Sequence, residues 1–502
     1  MSATAGVRQL RNSIGGTWVE ASGDRVRDVV NPASGEMLAR VPLSTAADVD
    51  AAVAAARAAL GEWGERSPIA RARWLFQLRQ KVEAHADTLA RSVTREMGKT
   101  LPDARAEVER AIEMIEAATA IPQTMQGRVL ENVAAGVDCE TIRQPVGVCA
   151  AIVPFNFPAM VPFWFLPFAI ACGNTLVLKP SEQVPLTQQL VFELVHELGG
   201  LPGGVLNLVN GDAEVVDALL DHPGVDAVSF VGSAAVARHV YRRAAEAGKR
   251  VQALGGAKNH IVVMPDAVLD RTVSNILGSA FGAAGQRCMA GSVVVTVGDV
   301  HEPLCALLQQ RTEALRVGDG LDPATDVGPV VSPAARDRIL DRIERALADG
   351  AELLVDGRSP AADPAGAFVG PTILTGVTPA MAIAREEVFG PVLAVIRTAG
   401  LDEAVEIVNA SPYGNGTSIF TESGAAARRY RHRVQVGMVG VNVGVAAPVA
   451  FFPFSGWRGS FFGDLHAHGP DAVEFYTRKK TITSRWFGGD ESGSYFVEQA
   501  QR

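Results

Sequence analysis

Between residues 146 and 231 the chain alternates short apolar runs with helical segments, which restricts it to folds built on a parallel sheet. Residues 146–153, 175–178, 205–209 and 227–231 read as buried strands, and 187–198 and 213–220 as helices between them. Parallel neighbours cannot be closed by a hairpin and need a crossover, usually a helix. The expected class is therefore α/β with a doubly wound sheet. A second α/β stretch runs from about 260 to 440. Ahead of both come a short β-rich start and three helical stretches, 44–60, 67–97 and 103–120. Ser44-Thr45 opens the first, and Gly98 ends the second. With 502 residues the chain exceeds what one core can organise, so two or three domains are expected. The end, 488–502, reads as a polar tail.

One segment could suggest a membrane. Residues 144–178 carry no charge, and that length can span a bilayer. Pro154, Pro158, Pro162 and Pro167 would interrupt a ladder that lipid cannot repair, so a buried strand, a loop and a short core helix are expected instead. The net charge of -9, without a Lys/Arg run, disfavours nucleic acid. Five cysteines without a C-x-x-C pair argue against a disulfide framework or a metal site. Residues 1–11 lack a secretory pattern, so a cytoplasmic, reducing location is expected.

Four local patterns carry chemistry. In Gly285-Gln286-Arg287-Cys288 a thiol sits beside a cation and flexible glycines, conditions that can stabilise a thiolate nucleophile. Alone, the pattern describes a buried cysteine better than a nucleophile. Pro154-Phe155-Asn156-Phe157-Pro158 places an amide in an apolar turn, where it can donate to an oxyanion or satisfy its own backbone. Phe230-Val231-Gly232-Ser233 joins a strand to a helix, a junction suited to pyrophosphate. Lys179-Pro180-Ser181-Glu182 lies at a strand end, where ammonium and carboxylate can hold a ribose or simply be solvated.

Together with 254–258 and Glu386-Glu387-Val388-Phe389-Gly390-Pro391, these motifs occur in the order and spacing of the aldehyde dehydrogenase superfamily, which the chain resembles over nearly its whole length. The resemblance implies Cys288 as nucleophile and Asn156 as oxyanion donor. It implies NAD held by Val153, Phe155, Lys179, Glu182, Gly232, Ser233, Glu387 and Phe389. A carboxylate at Glu182 would repel a 2'-phosphate, favouring NAD over NADP. One departure is Ala237, where a helix glycine is common.

The second departure is Leu254, which stands where hydrolytic members carry a glutamate base. Leucine cannot activate water, so coenzyme A is expected to accept the acyl group. The stretches 256–260, 287–290, 448–456, 460–467 and 475–480 are similar to the coenzyme A-acylating methylmalonate-semialdehyde (malonate-semialdehyde) dehydrogenase subfamily. That resemblance implies Arg110 and Arg287 as partners of a substrate carboxylate, although Arg110 could instead pair with Glu107 or Glu113 on its helix. His260 and His466 read as structural. A hydrolytic, NAD-dependent member of other substrate range is the alternative. The implied organisation is a Rossmann-like NAD-binding domain (1–124 and 147–253), an α/β catalytic domain (254–440) and a small β oligomerisation element (125–146 and 470–487). A homotetramer built as a dimer of dimers, or a dimer, is expected.

Overall fold

The computed structural model describes residues 7–486, so the tail at 488–502 lies outside the described residues. Two large sheets organise the chain. The first has eight strands in the order Phe461–Phe462, Arg250–Leu254, Ala227–Val231, Val148–Ile152, Thr175–Lys179, Leu206–Leu208, Asn12–Ile14 and Thr17–Val19. Its five central strands are parallel, and the flanking strands are antiparallel. The chain runs outward from Val148–Ile152 on one side, then returns to add Ala227–Val231 on the other. Such a reversal leaves a crevice at the carboxyl ends of the strands.

The second sheet has seven strands: Glu352–Val355, Thr372–Thr375, Val392–Thr398, Gly291–Val297, Asn259–Val263, Gly416–Phe420 and Met438–Val441. All but the first are parallel to their neighbours. Two three-stranded sheets lie apart from these. Arg8–Gln9, Met37–Pro42 and Val26–Val30 form one. In the other, Thr477–Arg485 pairs residue by residue with Val137–Pro145, which pairs with Arg128–Ala134. The last strand thus joins the chain's C-terminal part to its first third.

The uncharged stretch resolves as expected. Val148–Ile152 is a buried strand, 153–159 a loop and Met160–Ala171 a helix buried along nearly its whole length. Pro167 sits inside that helix and lacks the N–H it would have donated. Among the described residues no helix is long and apolar enough to cross a membrane, and no cluster of His, Cys, Asp and Glu could hold a metal.

The first two helical stretches differ from expectation. The helix opened by Thr45 continues to Glu65, past residue 60, because Trp63 is buried and extends the packed face. The stretch 67–97 divides at His85 into Pro68–Ala84 and Ala86–Met97. Gly98 then terminates it at φ 99°, the left-handed conformation that glycine adopts without steric cost. The next helix, Leu101–Ala118, is capped by the Thr100 side chain at the Asp103 N–H.

Candidate active site

Four adjacent parallel strands end at Leu254, Val231, Ile152 and Lys179, and the residues that follow each end line one cavity of about 870 Å³. Gly255, Gly232 with Ser233, Val153 through Asn156, and Ser181 with Glu182 come from the first sheet. Cys288, Glu387 and Phe389 come from loops leading into strands of the second.

One end of the cavity is charged. Lys179 Nζ donates to Glu182 at 2.9 Å. Burial opposes ionisation of Glu182, but Lys179, the Glu182 backbone N–H and Arg27 together hold the carboxyl below its ordinary value. At the middle, Gly232 has no room for a side chain, because a Cβ would meet the Phe230 ring at 2.4 Å. Ser233 makes no side-chain cap on the helix Ala234–Glu246. The first N–H groups of that helix are therefore left for another acceptor, and a helix N-terminus suits an anion.

The other end holds the nucleophile candidate. Ala283, Ala284 and Gly285 all have positive φ, at 50°, 52° and 69°. Non-glycine residues pay for this conformation, and such strain collects at functional turns. Gly285 packs so closely that a Cβ would lie 2.1 Å from the Gly390 carbonyl. The turn carrying Cys288 is thereby fitted against the loop carrying Glu387 and Phe389. The Cys288 carbonyl accepts from the amides of Asn259 at 2.8 Å and Asn415 at 3.0 Å, which pins the backbone of the thiol residue.

The surroundings of Cys288 favour its thiol over the thiolate. Burial, and then the neighbouring Glu387 carboxylate, push the Cys288 thiol up to about 12; the backbone N–H groups of Cys288 and Met289 pull the other way. Arg287 contributes little because its guanidinium turns away to Asp103 at 2.6 Å. Burial also raises Glu387 to about 7, opposed by the Ala257 N–H that it accepts at 3.0 Å. The buried thiols of Cys149, Cys172 and Cys305 are raised too, Cys172 to about 12 and Cys305 to about 11.

Asn156 is buried, and its amide donates to the Gln286 carbonyl at 3.0 Å. An amide has two N–H donors, so one remains for a ligand in the cavity that Asn156 lines with Cys288. On the far side of the thiol lies a second cavity of about 280 Å³, lined by Arg110, Arg287, Cys288, Phe157, Met160, Trp164, Phe454 and His468 among others. Cys288 is the one residue common to the two cavities. Arg110 combines both readings: it pairs with Glu113 at 2.5 Å and also lines this cavity. Burial lowers His260 to about 4, while His466 is bonded to Asp471 and the Gly456 carbonyl.

Leu254 is buried in the core at the end of its strand, and its carbonyl accepts from the Gly232 N–H at 3.1 Å. Sequence reasoning gave no role to Lys99 or Asp103 and named Glu107 only as a partner for Arg110, yet all three support these loops. A signal existed for Glu107. It falls on the helix stripe of Ala104, Val108 and Ala111, and a charge on an apolar stripe demands a partner.

The model of the aldehyde dehydrogenase family matches residues 18–482. The chain belongs to that family. Malonate-semialdehyde dehydrogenase 1 of Geobacillus thermodenitrificans is 50% identical over 96% of this chain and 100% of its own. Malonate-semialdehyde dehydrogenase of Halalkalibacterium halodurans is 49% identical over 97% and 100%. Among solved structures, methylmalonate-semialdehyde dehydrogenase from Oceanimonas doudoroffii is 46% identical, with a TM-score of 0.94 over 96% of this chain and 99% of that one. A protein from Sinorhizobium meliloti 1021, assigned by name to the same enzymes and solved with NAD, is 44% identical, with a TM-score of 0.95 over 97% and 100%.

Proposed function

We propose that this aldehyde dehydrogenase oxidises malonate or methylmalonate semialdehyde to acetyl-CoA or propionyl-CoA, with loss of carbon dioxide, using NAD and coenzyme A. The observation that carries this reading is the position of Cys288 as the single residue shared by the two cavities. A nucleophile there can meet an aldehyde from one side and present its hydrogen to an oxidant on the other.

The large cavity fits NAD. Lys179 and Glu182 suit ribose hydroxyls, Gly232 and Ser233 a pyrophosphate at a helix N-terminus, and Glu387 and Phe389 the nicotinamide end, with Val153 and Phe155 along the wall. NAD, when bound, supplies the acceptor for the hydride leaving the aldehyde carbon. The protein does the rest. Cys288, once deprotonated, adds to the carbonyl carbon, and the free Asn156 N–H donates to the oxygen that gains charge. Arg110 and Arg287 hold the carboxylate, since guanidinium suits its two oxygens. After oxidation Cys288 carries a thioester. Its carbonyl can accept the electron pair of the carbon–carbon bond that breaks as carbon dioxide leaves, and the carbon then takes a proton. Leu254 offers no base to activate water, so coenzyme A thiolate attacks the thioester and Cys288 leaves as thiolate.

The test follows NADH and acyl-CoA together, with malonate semialdehyde and NAD, with and without coenzyme A. Sustained turnover and acetyl-CoA only in its presence are expected. Equal turnover in its absence would make the enzyme a hydrolytic aldehyde dehydrogenase. We also propose a homotetramer or dimer, supported by the exposed Arg128–Ala134 edge strand, which presents Val129, Leu130 and Val133 to solvent.

A further inference from the structure

Beneath the proposed oxyanion turn lies an ion pair that the mechanism above does not use. Lys99 and Glu107 are both buried, and the ammonium meets the carboxylate at 2.6 Å. Lys99 Nζ also donates to the Asn156 carbonyl at 2.7 Å and stands 3.9 Å from the centroid of the Phe157 ring. The other oxygen of Glu107 accepts from the backbone N–H groups of Ala159 at 2.7 Å and Met160 at 3.1 Å. Two side chains thus grip the turn from Asn156 to Met160 at both ends.

The grip is itself anchored. Gly320 and Gly328 press on the Gly98–Lys99 backbone so tightly that a Cβ on either would meet a carbonyl oxygen, at 2.4 Å and 2.0 Å. On the helix Leu101–Ala118, Asp103 lies one turn before Glu107. It accepts from the Ala283 N–H at 2.9 Å and from Arg287, so it holds the nucleophile turn. Positions 103, 107 and 110 share one helical face. One helix face therefore fixes the nucleophile turn, the oxyanion turn and a carboxylate partner relative to one another.

A buried ion pair is a poor source of stability, because desolvation offsets the attraction, and apolar residues of similar volume often serve as well. Apolar residues could not hold three backbone groups of the loop. We infer that Lys99 and Glu107 are positioning residues that set the Asn156 amide against the aldehyde oxygen at Cys288. The inference rests on the proposed role of Asn156 but not on which semialdehyde is used, because every aldehyde passes through the same oxyanion.

The test compares Lys99→Met and Glu107→Gln with the parent enzyme. Three quantities are read: the pre-steady-state NADH burst with propanal and with malonate semialdehyde, the Kd for NAD, and the rate of Cys288 alkylation by iodoacetamide. Alkylation needs a thiolate but no oxyanion donor. Displacing a catalytic group by about 1 Å can cost roughly a hundredfold. Lys99→Met is expected to slow the burst by about that factor with both aldehydes, leaving Kd and alkylation within about twofold of the parent. Glu107→Gln keeps an oxygen for Ala159 and Met160 and is expected to slow it by about tenfold; it carries the test if Lys99→Met does not fold. An unchanged burst in Glu107→Gln, or a burst falling only in proportion to alkylation, would overturn the inference. A parent enzyme that oxidises aldehydes without needing coenzyme A would overturn the proposed acyl acceptor and leave this inference standing.

Discussion

At Cys288 the surroundings favour the thiol over the thiolate, and Glu387 is part of the reason. With the thiol near 12, the thiolate fraction grows with pH throughout the physiological range. Glu387 titrates near 7, so its repulsion of the thiolate sets in as pH rises past that point. The alkylation rate of the free enzyme should climb by up to about tenfold per pH unit, and less steeply where Glu387 ionises. Glu387→Gln should match the parent below pH 6 and exceed it above pH 8. Equal rates at pH 8, with Cys288→Ala as the blank, would remove Glu387 from control of the thiol. Arg110 supplies the second prediction at this scale. Arg110→Ala should raise KM for malonate semialdehyde by about 10- to 100-fold, the equivalent of roughly 1.5–3 kcal/mol for hydrogen bonds to a charge. Propanal, which has no carboxylate, should be nearly unaffected. A parallel rise for both substrates would reduce Arg110 to the Glu113 pair, which within a helix contributes only a few tenths of a kcal/mol.

The elements that carry the site are short turns at strand ends, and their close fit makes them vulnerable. Gly285 combines a φ of 69° with a Cβ position 2.1 Å from the Gly390 carbonyl. Gly285→Ala should therefore push the Cys288 turn away from the Glu387 loop, lowering stability by about 1–3 kcal/mol and lowering kcat more than the stability loss explains. Thermal unfolding and steady-state kinetics on the same preparation check this, and a variant with parental kcat would show that the two loops need not abut. The strands and helices that frame these turns were legible in the sequence, because buried parallel strands read as continuous apolar runs between helices. Ala227–Val231 falls on its expected bounds, and Leu186–Leu198 within one residue of them. The turns were legible as motifs, but their tension was not. Nothing local marks Ala283 and Ala284 as left-handed, and the Ala283 N–H finds its acceptor in Asp103, far upstream. Arg287 shows the same limit: adjacency to Cys288 in sequence does not say where its guanidinium points, and Asp103, far upstream, accepts one of its N–H groups, so its pull on the thiol is the smallest of the named causes.

For the whole molecule, the arm formed by Arg128–Ala134, Val137–Pro145 and Thr477–Arg485 leaves an open edge at Arg128–Ala134. Its outer strand is exposed at every residue, with Leu130 at 65% and Val129 at 68%. The open edge offers unpaired backbone groups beside an apolar patch, the combination that soluble chains cover or blunt. Neither active-site cavity is lined by arm residues, so assembly and chemistry should be separable. Leu130→Glu places a charge on the patch without touching a core. It should shift the particle to a smaller species by light scattering at micromolar concentration while leaving the NADH burst per site intact. An unchanged mass would mean that this strand does not join copies. A lost burst in a folded monomer would mean instead that the arm transmits order to the site, and its path is plain. Thr477 begins immediately after Tyr476, whose hydroxyl bonds Ser229 at 2.7 Å, two residues before Val231 delivers Gly232 to the NAD cavity.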